Sequence, residues 1–408
     1  MNNVLFISFD LIRDGEPEIS LSAASLIAYL KLSDTYEKEF TLGHHIIDCN
    51  SVNDGSAAFE SVFSNKPLPS YNVIALSCHI WSEHYVQFFI KKLRSLNWQG
   101  LIVLGGPQMN EIEQALKLRY PQANVFVQGY GEKAFLHICN NANNFKNSQT
   151  VLQIPTASEI IPAVYSNGII KINQGQQMVR LETKRNCPYR CSFCHFTDFT
   201  SNKVGCLNIE TIKTELQYLK KLNVGKVNIM DPTFNILHYK DVLKEIIKIK
   251  SESTFSFQTH FSTFDYKSDE VIDLFKGVNS HLEFGLQSTN PDTLKAINRK
   301  HNWNHVSAAI KSLVHNEISF EISLIYGLPF QSLDNFKTSV KKLHDLGVKN
   351  VYGFPLQIYP GTQLTRDMNI YKIKSKPNKL GIEQVYKTNW MSEDDINFLD
   401  NWEHTLSK

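Results

Sequence analysis

Three cysteines fall within eight residues, in the run Arg185-Asn186-Cys187-Pro188-Tyr189-Arg190-Cys191-Ser192-Phe193-Cys194. Thiolates of this kind are the ligands of iron–sulfur clusters. Three of them can hold three irons of a 4Fe–4S cubane and leave the fourth iron open. An open coordination position suits a reactive metal centre, whereas four protein ligands close a structural one. Two other readings compete. A zinc site would add a second cysteine pair or histidines, and His195 is the nearby candidate. The three could also be plain buried thiols, since free cysteine is among the most buried residue types. The chain has seven cysteines, an odd number, which reads as metal ligation plus buried thiols and not as a disulfide framework.

The elements that must position these thiols come in two alternating series. In the first, apolar runs at Val4–Phe9, His45–Cys49, Val73–Ser77, Leu101–Leu104 and Val125–Val127 are separated by helical patterns at Ser20–Leu32, Ser82–Leu96 and Asn110–Arg119. Continuous apolar strands joined by helices predict a doubly wound parallel sheet covered on both faces. Its ligands belong at the carboxyl ends of the strands. The second series has strands at Met178–Thr183, Lys226–Met230, Thr254–His260, His281–Gln287, Phe320–Tyr326 and Val351–Tyr359, with helices such as Ile209–Leu222 and Leu333–Leu346 between them. Six strand–helix units predict a partial (β/α)6 barrel with its chemistry at the carboxyl strand ends. The cysteine run lies in the loop after the first barrel strand. The predicted organisation is a Rossmann-like domain over residues 1–145, a polar linker over 146–176, the barrel over 177–364 and a C-terminal cap over 365–408.

The CxxxCxxC spacing, with Phe193 before the last cysteine, resembles the radical S-adenosylmethionine (SAM) superfamily. The resemblance implies that Cys187, Cys191 and Cys194 bind a 4Fe–4S cluster whose open iron chelates SAM. It implies reductive cleavage of SAM to methionine and a 5′-deoxyadenosyl radical, with Phe193 beside the adenine. Further segments match in order. Met230-Asp231-Pro232-Thr233 stands where the family contacts the SAM amino group, although the usual Gly-Gly-Glu is absent. Glu283-Phe-Gly-Leu-Gln287-Ser288 resembles the segment near the ribose and carboxylate. Arg299 matches an arginine that pairs with the SAM carboxylate, and Gly327 lies in the glycine segment near the adenine. Tyr359-Pro-Gly361-Thr362 matches the end of the sixth strand. Tyr326, Gln357 and Tyr359 are expected at the barrel mouth, facing substrate.

A parallel-sheet domain ahead of such a barrel resembles the cobalamin-binding members of the superfamily. The residues that carry this are Ser77, Gly105, Gly106 and Gln108 at two strand ends, and Gly129, Gly131 and Glu132 at the turn into the last helix. Asp10-Leu-Ile12-Arg-Asp-Gly15 keeps the Asp and Gly of a DxHxxG motif but has Ile12 at the histidine position, which excludes an axial histidine from that loop. The alternative is that these glycines only make tight turns and the domain binds nothing. Cys49 and Cys78, also at strand ends, invite comparison with RNA methylthiotransferases that carry a second cluster, but Asp10 stands where a third cysteine is needed. Buried thiols are the simpler account of both.

The function implied is a cobalamin-dependent radical SAM C-methyltransferase acting on an unactivated carbon, using two SAM molecules per turnover. Epimerisation, rearrangement or dehydrogenation without methyl transfer is the alternative, and a non-catalytic cluster or cobalamin sensor a third. The expected partners are a small-molecule or peptide substrate and an electron donor of the flavodoxin or ferredoxin type. A formal net charge of +2 gives no footprint for nucleic acid or anionic membrane. There is no apolar run long enough for a transmembrane helix and no signal-peptide pattern, so a cytoplasmic location is expected.

Overall fold

The computed structural model describes residues 1–64, 68–147, 149–196, 203–264 and 269–402. It divides into two compact units, Met1–Ile172 and a second that begins at Asn173.

In the first unit the strands are β1 (Asn2–Asp10), β2 (Phe40–Asp48), β3 (Val73–Ser77), β4 (Leu101–Gly105), β5 (Val125–Val127) and β6 (Thr150–Leu152). The helices are α1 (Leu21–Lys31), α2 (Gly55–Phe63), α3 (Glu83–Ser95), α4 (Glu113–Arg119) and α5 (Glu132–Asn140). The sheet runs β2-β1-β3-β4-β5-β6, and its neighbours all pair in parallel. Alternate residues feed two cores: Leu5, Ile7, Ile74 and Leu76 on one face, Val4, Phe6, Val73 and Ala75 on the other. Burial on both faces is why these strands read as unbroken apolar runs. The chain leaves β1 for β2 on one side and then crosses to β3 on the other, so the switch point, where such folds bind ligands, lies between β1 and β3. Residues 150–152, which composition places in the linker, form β6 instead. Three residues at a sheet edge carry too little pattern to be read, and their backbone pairing with β5 defines the strand.

The second unit holds β7 (Met178–Leu181), β8 (Lys184–Arg185), β9 (Gly205–Cys206), β10 (Lys226–Ile229), β11 (Thr254–Thr259), β12 (Ser280–Gln287), β13 (Ser319–Tyr326), β14 (Val351–Pro355), β15 (Lys374–Pro377) and β16 (Glu383–Lys387). Its helices are α6 (Ile209–Lys221), α7 (Tyr239–Ile249), α8 (Asp269–Lys276), α9 (Pro291–Ala296), α10 (Trp303–His315), α11 (Leu333–Asp345), α12 (Gln363–Arg366) and α13 (Glu393–Asn401). β7, β10, β11, β12, β13 and β14 form a parallel sheet in chain order. Among the described residues β7 and β14 do not pair, so the ring stays open, as a partial (β/α)6 barrel requires. Val227, Phe257, Leu282 and Ile322 are buried, while their sequence neighbours Asn228, Glu283 and Glu321 are polar and only partly covered.

The C-terminal segment is more ordered than a bare cap. β15 and β16 form an antiparallel hairpin that bonds to the chain after β14, through Val385 N to Leu356 O and Ile358 N to Glu383 O, both 2.9 Å. No helix among the described residues is long and apolar enough to cross a membrane.

Candidate functional site

The loop that carries the three cysteines is fixed at its base by a buried charge cluster. Asp231, after β10, is fully buried. Its carboxylate accepts hydrogen bonds from Thr183 N at 2.7 Å, Lys184 N at 2.9 Å and Thr183 Oγ1 at 2.5 Å. Lys184 Nζ, equally buried, lies 3.2 Å from Asp231 Oδ2, donates to Phe234 O at 3.0 Å and sits 4.4 Å from the centre of the Phe234 ring. Burial pushes the Lys184 ammonium down and the Asp231 charge opposes it. Four donors use the four lone-pair positions of a carboxylate. Asp231 therefore anchors the loop base here and has no open position for a SAM amino group, which the sequence resemblance had assigned to it. β8 and β9 then pair across the loop, Lys184 with Cys206 and Arg185 with Gly205. Asn186 enters the cysteine run with φ +68°, a left-handed conformation that Asn tolerates.

Beyond Cys187 the run is sewn to α9 and α12. Ser192 N donates to Ile297 O at 3.0 Å, Asn298 Nδ2 to Arg190 O at 2.7 Å and Leu364 N to Ser192 O at 2.8 Å. Cys194 N closes a turn on Cys191 O at 3.1 Å. Burial raises the Cys194 thiol to about 11, with the Cys191 and Cys187 thiols adding to the rise while a backbone bond and Arg299 oppose it. The Cys187 thiol is raised for the same first reason, burial. Arg299 Nη1 donates to Cys191 Sγ at 3.3 Å, so the guanidinium touches this thiol group directly.

Three thiols in one loop, Cys187, Cys191 and Cys194, with a guanidinium on one of them, are a donor set that a 4Fe–4S cluster can take.

The remaining barrel residues separate into two groups. β12 shifts register between Gly285 and Gln287, and Gln287 has φ +72°. A Cβ at Gly285 would lie 2.5 Å from Gln287 Nε2, so a larger residue there would displace the Gln287 amide from this position. Gln287 Oε1 is buried without a hydrogen-bond partner, an acceptor fit for a ligand donor. Ser288 is fully buried and its Oγ accepts from Asn290 N at 3.1 Å. Phe193 packs on an apolar cluster that includes Leu294, Ile297 and Leu328. Gly327 stands apart. It has φ +82°, and a Cβ there would meet Val385 Cγ1 at 3.2 Å and Ile396 Cδ1 at 3.4 Å, so the C-terminal segment covers that side. Tyr326, expected at the mouth, is buried and donates to Asp400 Oδ1 at 2.5 Å. Tyr359 does stack on His195, with ring centres 5.4 Å apart, and its hydroxyl donates to Gln357 Oε1 at 2.6 Å.

At the switch point of the first unit the polar residues are largely spent on the scaffold. Ser77 Oγ accepts from Phe9 N at 2.9 Å and ties β3 to β1. Glu132 is buried, and its Oε1 accepts from Ser25 Oγ of α1 at 2.9 Å. Gly106 has φ +105°, and a Cβ there would stand 2.6 Å from Cys78 O, so this glycine serves a close backbone approach. Gly105 differs: its Cβ would meet only Val127 Cβ, at 3.9 Å, and Gly131 has similar room with nothing nearer than 3.5 Å. Gly129 makes its turn at φ +75°. Gln108 Nε2 donates to Glu83 Oε2 at 2.6 Å, while its buried Oε1 has no partner. The open faces of Gly105 and Gly131, and the unpartnered amide oxygen of Gln108, are features that a bulky, amide-bearing cofactor could use. Cys49 and Cys78 have thiols pushed up to about 12, by burial first, which suits inert buried thiols.

Sequence reasoning missed Lys184, Gly285 and His301. A lysine before a cysteine motif reads as surface, and its partner lies 47 residues away.

Comparison with known proteins follows the same division. Residues 181–355 match the radical SAM superfamily. The cobalamin-dependent radical SAM methyltransferase TokK of Streptomyces tokunonensis is 23% identical over 349 residues, covering 77% of this chain and 51% of TokK. The 2-(S-pantetheinyl)-carbapenam-3-carboxylate methyltransferase of Streptantibioticus cattleyicolor is 22% identical, over 79% of this chain and 54% of its own length. The chain thus spans about half the length of these relatives. Among solved structures, the radical SAM methyltransferase TsrM of Kitasatospora setae, with tryptophan and a SAM analogue bound, superposes with a TM-score of 0.71 at 13% identity, over 93% of this chain and 79% of TsrM. The cobalamin-dependent radical SAM enzyme OxsB gives 0.70 at 14% identity, over 98% of this chain and 66% of OxsB. At these identities the structures speak for the fold.

Proposed function

We propose that this chain, whose residues 181–355 are a radical SAM domain, is an enzyme of the cobalamin-dependent radical SAM methyltransferase type. The observation that carries the reading is the loop that brings Cys187, Cys191 and Cys194 together after the first barrel strand, with a guanidinium on one thiol and the orphaned amide oxygen of Gln287 two residues from the glycine that this guanidinium also bonds. When bound, a 4Fe–4S cluster supplies the electron that cleaves SAM, and cobalamin supplies a methyl carrier.

Cys187, Cys191 and Cys194 hold the cluster, and the Asp231–Lys184 anchor keeps their loop in place. Gln287 Oε1 accepts a hydrogen bond from SAM. Arg299 has five N–H groups and commits three within the protein, so two remain for the SAM carboxylate. Phe193 offers an apolar contact to the adenine, and Ser288 shapes the turn beside it. In the first unit Gly105 and Gly131 would leave room for cobalamin, Gln108 would present an acceptor to it, and Ile12 has no group that could bind a metal. Ser77, Gly106, Gly129 and Glu132 shape that surface. We take the substrate to be a small molecule or peptide and the electron source to be a flavodoxin- or ferredoxin-like protein.

The test is anaerobic reconstitution with iron, sulfide and cobalamin, followed by reaction with SAM and a chemical reductant. The reading predicts about four irons and four sulfides per chain, one cobalt, and both 5′-deoxyadenosine and S-adenosylhomocysteine. Alanine at Cys187, Cys191 or Cys194 should abolish iron binding and 5′-deoxyadenosine formation. If 5′-deoxyadenosine forms without S-adenosylhomocysteine, methyl transfer gives way to epimerisation, rearrangement or dehydrogenation. If SAM is inert, a binding or sensing protein takes its place.

A further inference from the structure

Arg299 is held at three points. Its Nε donates to His301 Nε2 at 2.8 Å, its Nη2 donates to Gly285 O, and its Nη1 reaches Cys191 Sγ at 3.3 Å. Three bonds along one rigid planar fork leave the guanidinium no freedom to turn. The anchor at His301 works only if Nε2 is unprotonated, because an arginine N–H can only donate. Burial, and next the Arg299 charge, lower His301 to about 3, so it is neutral at physiological pH. His301 is in turn stacked on His260 at 5.1 Å, and His260 on Tyr189 at 4.7 Å. Tyr189 lies between Cys187 and Cys191 in the chain. The guanidinium, the two imidazoles and the tyrosine thus make a closed path that begins and ends on the thiol loop.

We infer that Arg299, oriented by His301, is a positioning residue that raises the reduction potential of the cluster through its hydrogen bond to Cys191 Sγ. The inference rests on the proposed cluster. A cation donating to a ligand sulfur stabilises the reduced state, which carries one more negative charge, and hydrogen bonds to the sulfurs are among the levers that set cluster potentials. The electron comes from an external one-electron donor, and no bond forms or breaks at Arg299. This role is compatible with a carboxylate contact, because it uses one of the three N–H groups already committed.

The experiment uses the full chain, reconstituted anaerobically without SAM, with the cluster's midpoint potential read by an electron paramagnetic resonance titration. Arg299→Met should shift the midpoint to more negative potential, and Arg299→Lys should shift it less. His301→Phe should also lower it by releasing the guanidinium, whereas His301→Gln, which keeps an acceptor, should return it towards wild type. If the Arg299 variants fail to retain iron, the His301 pair decides, because both leave Arg299 in place. Unchanged midpoints in His301→Phe and in any iron-loaded Arg299 variant would overturn the inference. A wild-type chain that binds no iron and sulfide would instead overturn the proposed cluster itself.

Discussion

The carboxyl ends of the two sheets carry different kinds of residue. At the barrel the loops after the strands carry charged side chains held by several partners each: Asp231 by Lys184 and Thr183, Arg299 by His301 and Cys191. At the first sheet the ends of β3 and β4 carry small residues, Ser77 and Gly105, and a Cβ at Gly105 would meet only Val127 Cβ, at 3.9 Å. One site is built by fixing reactive groups in place and the other by leaving space. The first should therefore fail when a side chain is deleted, and the second when one is added.

The largest effect is expected at the buried anchor. Asp231→Asn keeps the shape but leaves the Lys184 ammonium buried without its counter-charge. Breaking such a pair on one side costs about 3–5 kcal/mol. Urea unfolding of the second unit should show a loss of that order, and iron uptake on reconstitution should fall as the loop base loosens. Lys184→Met should cost a similar amount. The double variant should cost clearly less than the sum, because neither charge is then left alone. Additive losses would show that the two residues do not act as a unit.

The two adjacent glycines at the end of β4 sharpen the other side of the comparison. Gly106→Ala places a Cβ 2.6 Å from Cys78 O at φ +105°, so it should destabilise the first unit by roughly 1–3 kcal/mol. Gly105→Val meets no such obstacle. It should leave unfolding unchanged but weaken cobalamin binding tenfold or more, read from the cofactor's visible absorption. Wild-type cobalamin affinity in Gly105→Val would remove the case for a cradle at β4.

Much of this is legible in the sequence, for a physical reason. Parallel strands buried on both faces read as apolar runs, so the strands at Val73–Ser77 and Val125–Val127 and most of the barrel can be placed from residue pattern alone. The cysteine spacing survives in sequence because its ligands lie in one loop. What stays hidden depends on distant partners. A glutamine's place on a β-bulge, a lysine's burial and an arginine's contact with a thiol 108 residues away leave no local pattern. The hairpin strand Lys374–Pro377 is polar and short, and it stands out only where it pairs with β16. The resemblance to known motifs assigns Asp231 to a ligand, whereas the structure spends its carboxylate on buried hydrogen bonds within the protein.

The smallest effect belongs to β2 and concerns pH. His44 Nε2 lies 3.0 Å from Ser8 Oγ, and Ser8 Oγ donates to Asp10 Oδ2 at 2.9 Å. A hydroxyl has one proton to donate, so Ser8 must accept from His44, which puts the neutral ring's proton on Nε2. Burial, then His45 and Lys31, lower His44 to about 4 from an ordinary value of 6.5. Between these values the unfolded chain binds the proton more readily than the folded one, so stability falls as pH drops through this window and levels off below about 4. His44→Gln keeps an N–H for Ser8 and removes the titration. The first unit of this variant should therefore lose less stability than wild type between pH 6.5 and 4, measured by urea unfolding at each pH. Because Asp10 lies at the switch point, at the other end of this chain of bonds, the same variant also tests whether that edge is held by the neutral ring. An unchanged pH profile would mean that it is not.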